Sequence, residues 1–144
     1  MTGSRTAKWL SVCSAVAATL TGSAALAHHS FGYFDVSKNI LYEGVVQKYS
    51  WVNPHVHITV VIPEGHPNAG TWDLEGASVN IMEREGWTRG SYKVGDPIRA
   101  VAHPMKDGSK GASLFYAIRP DGHRMFMDIN RPKPGQVLPD NGTN

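Results

Sequence analysis

The sequence predicts a mainly β protein: a small OB-fold-like barrel of five to six strands with one short helix between strands three and four. Three observations carry this expectation. Short runs of β-branched and aromatic residues with polar residues interleaved recur along the chain, each bounded by Gly, Pro, Asn or Asp turn chemistry. A single stretch, after the third run, carries a helix-like apolar stripe instead. The resulting order of three strands, a helix and two or more further strands is that of the five-stranded Greek-key barrel.

The chain opens on an export signal. Arg5 and Lys8 precede an apolar and small-residue run from Trp9 to Leu20, and Ala25-Leu26-Ala27 follows. Charged, apolar and small-residue regions in that order are expected of a cleavable secretory signal over residues 1–27. Ser11, Ser14 and Thr19 interrupt the run, which falls short of the roughly 20 apolar residues a membrane span needs. No membrane association is therefore expected after cleavage. The signal takes with it the chain's one cysteine, Cys13, so an intramolecular disulfide is not available. About 117 residues remain, room for one domain, expected over 28–130.

The first strand is read over 41–51, where Val45, Val46, Tyr49 and Trp51 alternate with polar residues. Asn53-Pro54 breaks the ladder, because proline has no N–H to give, and a second strand resumes over 55–62. Alternation puts Val56, Ile58, Val60 and Ile62 on one face and His55, His57 and Thr59 on the other. Residues 63–70 are turn chemistry, and 71–75 form a third strand that completes a meander. Ser78 then reads as the N-cap of a two-turn helix carrying Val79, Ile81 and Met82, with Gly86 as its stop. A fourth strand is expected over 98–103, a fifth over 112–119 and, after the Pro120-Asp121-Gly122 turn, a sixth over 123–129. The tail 131–144, with little to bury, is expected to be disordered.

Charge narrows the function classes. The precursor has 14 basic against 12 acidic residues, and loss of Arg5 and Lys8 leaves the mature chain formally neutral. A neutral domain without a Lys/Arg cluster is a poor match to a polyphosphate backbone, so nucleic acid is not an expected partner. Nor is catalysis expected. The mature chain has no cysteine, no Gly-x-Ser-x-Gly and no phosphate-cradling glycine loop; Asp73 and Glu75, two apart on one strand, are the nearest approach to a carboxylate pair.

Two pairs of histidines point to metal. Cleavage after Ala27 would make His28 the first residue, so that its free amine and imidazole, with His29 beside them, could chelate one ion, copper above all. His55 and His57 could offer two more imidazoles from one strand face, with His103, His123 or the amino terminus supplying a third. The plainer alternatives are a frayed terminus and solvent-facing strand histidines. Met125 and Met127 could serve Cu(I), yet their alternation around Phe126 reads rather as core. Phe31, Tyr33 and Phe34 are expected to dock the amino-terminal arm on the barrel.

The segments His28-His29-Ser30-Phe31, Gly44-Val45-Val46, Trp51-Val52-Asn53-Pro54-His55, Gly86-Trp87 and Gly95-Asp96 together resemble an uncharacterised family of short exported bacterial proteins. The family is one of unknown function, so the resemblance implies no activity. It does imply export from a Gram-negative cell and hence the periplasm.

The expected function is thus a periplasmic, non-enzymatic binding module with copper as its cofactor, held by His28, His29, His55 and His57. The first rival is a barrel that binds a periplasmic protein or small ligand through exposed aromatics such as Trp51 and Trp87, with no metal. An enzyme of unknown class stands second.

Overall fold

The computed structural model of the chain describes residues 30–127. The chain divides into the units Met1–Phe31 and Gly32–Asn144. The expected signal region 1–27, His28, His29, Ile129 and the tail 131–144 lie outside the described residues, as does the side chain of Phe31.

A single 3-10 turn (Ser30–Tyr33) leads into six strands and one helix: β1 (Ile40–Ser50), β2 (His57–Ile62), β3 (Gly70–Glu75), α1 (Val79–Arg84), β4 (Pro97–Pro104), β5 (Gly111–Ile118) and β6 (Arg124–Phe126). Their order in the sheet is β3-β2-β1-β4-β5-β6, and a parallel β3–β5 pairing closes the first five strands into a barrel. The remaining pairings are antiparallel. This is the OB-fold arrangement, mainly β, with the helix between strands three and four as the sequence predicts.

Alternation explains which residues fill the barrel. Ile58, Val60 and Ile62 of β2, Leu74 of β3 and Ile98, Ala100 and Ala102 of β4 are all buried inside it. Fully burying each branched aliphatic side chain contributes about 1.5–3 kcal/mol. Large and small residues are matched across the ladder: Tyr42 of β1 faces Ala100 of β4 and packs against Trp72 at 4.8 Å. Gly44 of β1 has no alternative, since a Cβ there would lie 2.3 Å from the Val61 carbonyl oxygen across the β1–β2 pair. Beyond the strands, Met82 of α1 joins Trp51, Val56 and Trp87 in the same core.

The element boundaries differ from expectation by more than one residue in two places. The second strand starts at His57 rather than position 55, two residues further past Pro54 than the pattern indicates. Pairing is not lost there: the Gly76 N–H donates to the Val56 carbonyl at 2.7 Å and the Val56 N–H to the Ala77 carbonyl at 2.9 Å. The sixth strand is shorter than the predicted 123–129. Met125 and Met127, which flank Phe126, are buried in the main core, as their alternation indicates.

One outer row departs from the usual polar exterior. Leu41, Val101, Tyr116 and Phe126 are successive ladder partners across β1, β4, β5 and β6, and form a second apolar cluster in which Val101 and Tyr116 are fully buried. Among the described residues, no helix is long and apolar enough to cross a membrane.

Candidate functional site

The outer face of β2 and β3 gathers four groups with ligand chemistry. Antiparallel register sets His57 opposite Glu75 and Thr59 opposite Asp73. Each histidine reaches across a diagonal. The Nδ1 of His57 is 2.8 Å from Asp73 Oδ2, and the Nδ1 of His55 is paired with Glu75 Oε1. Diagonal neighbours on a twisted sheet lie within reach of side chains this long. Both rings remain part exposed, at 37% for His55 and 36% for His57.

An imidazole held at Nδ1 by a carboxylate has its ring orientation fixed and its other nitrogen, Nε2, left to meet a ligand. Metal-bound histidines are oriented in this way, and the carboxylate also makes the ring a better donor. Two carboxylate side chains beside the rings add oxygen ligands suited to a cation. His55 and His57 thus share a face as the alternation predicts, and the sequence reading named Asp73 and Glu75 only as an isolated carboxylate pair. The signal that joins the two pairs was present: two strands of i, i+2 polar residues separated by a single turn must bring one polar row beside the other.

The other expected donors do not join them. From His57 the outer row runs through Glu75 and Ser113 to His103, one strand at a time. At about 4.8 Å per strand, His103 is about 14 Å away. Its Nδ1 lies 2.9 Å from the Lys38 carbonyl and its ring stacks on Phe115. His123 sits in the β5–β6 turn. Among the described residues, no three His, Cys, Asp or Glu side chains come together in a group that could hold a metal ion.

The arm preceding β1 is docked, and of the rings expected to hold it Phe34 does so. Phe34 is buried and bridges Met105, the Asp35 N–H donates to the Pro104 carbonyl at 2.8 Å, and the Lys106 N–H donates to the Tyr33 carbonyl at 2.9 Å. Tyr33 itself is 64% exposed, so its backbone and not its ring does the docking. Asp35 has its carboxyl held below the usual range by the Ser37 hydroxyl first and by Lys38 next.

Trp51 and Trp87 require correction. The sequence reading offered them as exposed rings for a partner, whereas Trp51 is 5% and Trp87 1% exposed. The Trp87 Nε1–H donates to the Phe126 carbonyl at 2.7 Å, and Trp51 packs on Tyr49. Trp51 lies just past β1 and Trp87 shortly after α1, both outside regular strands, where alternation does not say which way a ring points. Their size makes the core their default place, as a ring this large contributes most when buried.

A family model described as a family of unknown function (DUF6152) matches residues 15–114. No curated protein and no solved structure matches the chain.

Proposed function

From the premise that the chain belongs to the family of unknown function DUF6152, we propose that it is a periplasmic, non-enzymatic OB-fold module that binds a transition-metal ion, copper first. His57 offers its Nε2 atom from the outer face of β2 and His55 from the segment just before it, and the amine and imidazole of His28, with His29, complete the donor set once the signal is removed.

The single observation that carries this reading is the pair of imidazole–carboxylate contacts, His57 to Asp73 and His55 to Glu75. Two imidazoles on one face, both oriented through Nδ1, form half of a nitrogen-rich site.

Titration of the purified, signal-free protein with Cu(II) tests the reading. One equivalent should bind with a dissociation constant below about a micromolar, which corresponds to roughly −8 kcal/mol. His55→Ala and His57→Ala should each weaken it at least tenfold, and one extra residue ahead of His28 should abolish the amine contribution. Unchanged binding in both histidine variants would remove β2 from the site.

A further inference from the structure

The end of the barrel away from the histidine face is built quite differently. On β4 it is marked by Pro97 and Arg99, whereas the row leading to the histidines crosses β4 at His103, about 13 Å further along the strand. Here the 86–97 loop and the β5–β6 turn enclose an open cleft of about 840 Å³. That is the size of a small-molecule site.

The lining combines an apolar body with one free charge. Tyr92, Pro97, Ile118 and the buried Met125 supply the apolar surface. Three charged side chains also line it, and two are already committed. Arg99 Nε donates to Glu43 Oε1 at 2.6 Å, and Asp96 Oδ2 accepts from the Lys93 N–H at 2.8 Å. Among the described residues, the Arg119 guanidinium has no hydrogen-bond or ion-pair partner. Its charge is felt in the cleft: burial pushes the Tyr92 phenol up from its ordinary value, while Arg119 draws it down and Asp96 adds to the rise.

The walls are set without a ligand. The Thr88 N–H donates to Ser91 Oγ at 2.8 Å, and the loop is tied to β1 by Gly95 N–H to the Val46 carbonyl and Val46 N–H to the Asp96 carbonyl, both 2.9 Å. Across the cleft, the Gly122 N–H donates to the Arg119 carbonyl at 2.8 Å, a turn closed by a glycine at φ +81°. Walls held in this way lose little freedom when a guest arrives. A preformed, partly apolar cleft with one unpartnered guanidinium at it selects a guest of matching design.

We propose that this cleft binds a small monoanion, a carboxylate or sulfonate carried on an aromatic or branched hydrocarbon frame, with Arg119 taking the charged head and Tyr92, Ile118 and Met125 the body. The site is separate from the histidine face and stands whether or not metal binds there.

The test uses 8-anilinonaphthalene-1-sulfonate, an apolar frame with one sulfonate, added to the purified full chain. One molecule should bind with enhanced fluorescence and shift the amide resonances of Thr88, Tyr92 and Gly122. Arg119→Gln should weaken binding about tenfold, the usual size for loss of a charged hydrogen bond. Arg89→Gln removes the same charge from a loop position that does not line the cleft, and should leave affinity unchanged. Gly90→Trp has room at its Cβ, where the nearest atom is 3.8 Å away, and should occlude the site without disturbing the fold. Equal affinities in the Arg119 and Arg89 variants would overturn the proposal. So would resonance shifts confined to the apolar row from Leu41 to Phe126. Retained binding in His57→Ala separates this result from the fate of the metal reading.

Discussion

The histidine face and the cleft occupy two ends of one barrel, yet they are made in opposite ways. The face is a product of sheet register: two neighbouring strands put His55, His57, Asp73 and Glu75 in one polar row, and the backbone ladder does the positioning. The cleft is a product of loops: Tyr92 and Asp96 come from the loop after α1 and Arg119 from the turn after β5, and the two segments meet only because α1, β4 and β5 are packed. A site made by register should tolerate loss of a distant core residue. A site made by loops should not.

The largest expected effect separates the two on that basis. Trp87 lies beneath the loop end, 1% exposed, and holds β6 through its bond to Phe126. Trp87→Ala should lower the unfolding free energy by about 3–5 kcal/mol, read by urea denaturation. In whatever fraction stays folded, the cleft should bind the sulfonate probe poorly while Cu(II) affinity is retained. Parallel losses at both sites would show that the two ends are one mechanical unit.

Next in size is the converse change. Asp73→Asn and Glu75→Gln leave the cleft untouched but release the histidine rings from their anchors. Removal of such orienting carboxylates commonly lowers metal affinity 10- to 100-fold. Calorimetric titration should show that loss for copper and no change for the sulfonate.

Alkali provides a third contrast, confined to the cleft and core. Burial raises the phenols of Tyr42, Tyr49 and Tyr92 above their ordinary values. A free tyrosine ionises near pH 10. Because the folded values are the higher ones, the neutral phenols favour the fold fully below about pH 10, and that advantage is lost as pH climbs toward the folded values. Each withheld ionisation sets a slope of at most about 1.4 kcal/mol per pH unit. The urea midpoint should therefore fall between pH 9 and 11, and fall less steeply in Tyr92→Phe. Copper-site variants leave these phenols in place and should follow the parent curve.

How much of this was legible in advance follows from the same contrast. The strands were readable because alternation is local: Val56, Ile58, Val60 and Ile62 point inward in the sequence and in the barrel alike. The shared face of His55 and His57 came with it. What alternation cannot give is the neighbour across the ladder, so the diagonal partners Asp73 and Glu75 follow from the register alone. Loop side chains lie wholly beyond that rule. Trp51 and Trp87 were read as exposed and are core, and Arg119 carried no sequence signal at all.

The smallest expected effects fall where the two regions join, and they concern the start of α1. Sequence pattern names Ser78 as its cap, and Ser78 does hold the N-cap position, with extended φ and ψ of −63° and 154°. Its side chain makes no capping bond. The Val79 N–H donates instead to Asn53 Oδ1 at 3.1 Å, from the segment that leads into His55. Asn53 therefore does a capping residue's work from 26 positions away, tying the approach to the histidine strand to the helix that leads into the cleft loop. Replacing a cap by alanine removes about 1 kcal/mol of stability, and Asn53→Ala should do so. Ser78→Ala, by the same measurement, should stay within about 0.5 kcal/mol, as a surface change that breaks no bond. The reverse order of the two values would mean that Ser78 caps the helix in solution and that the two ends of the barrel are joined through the core alone.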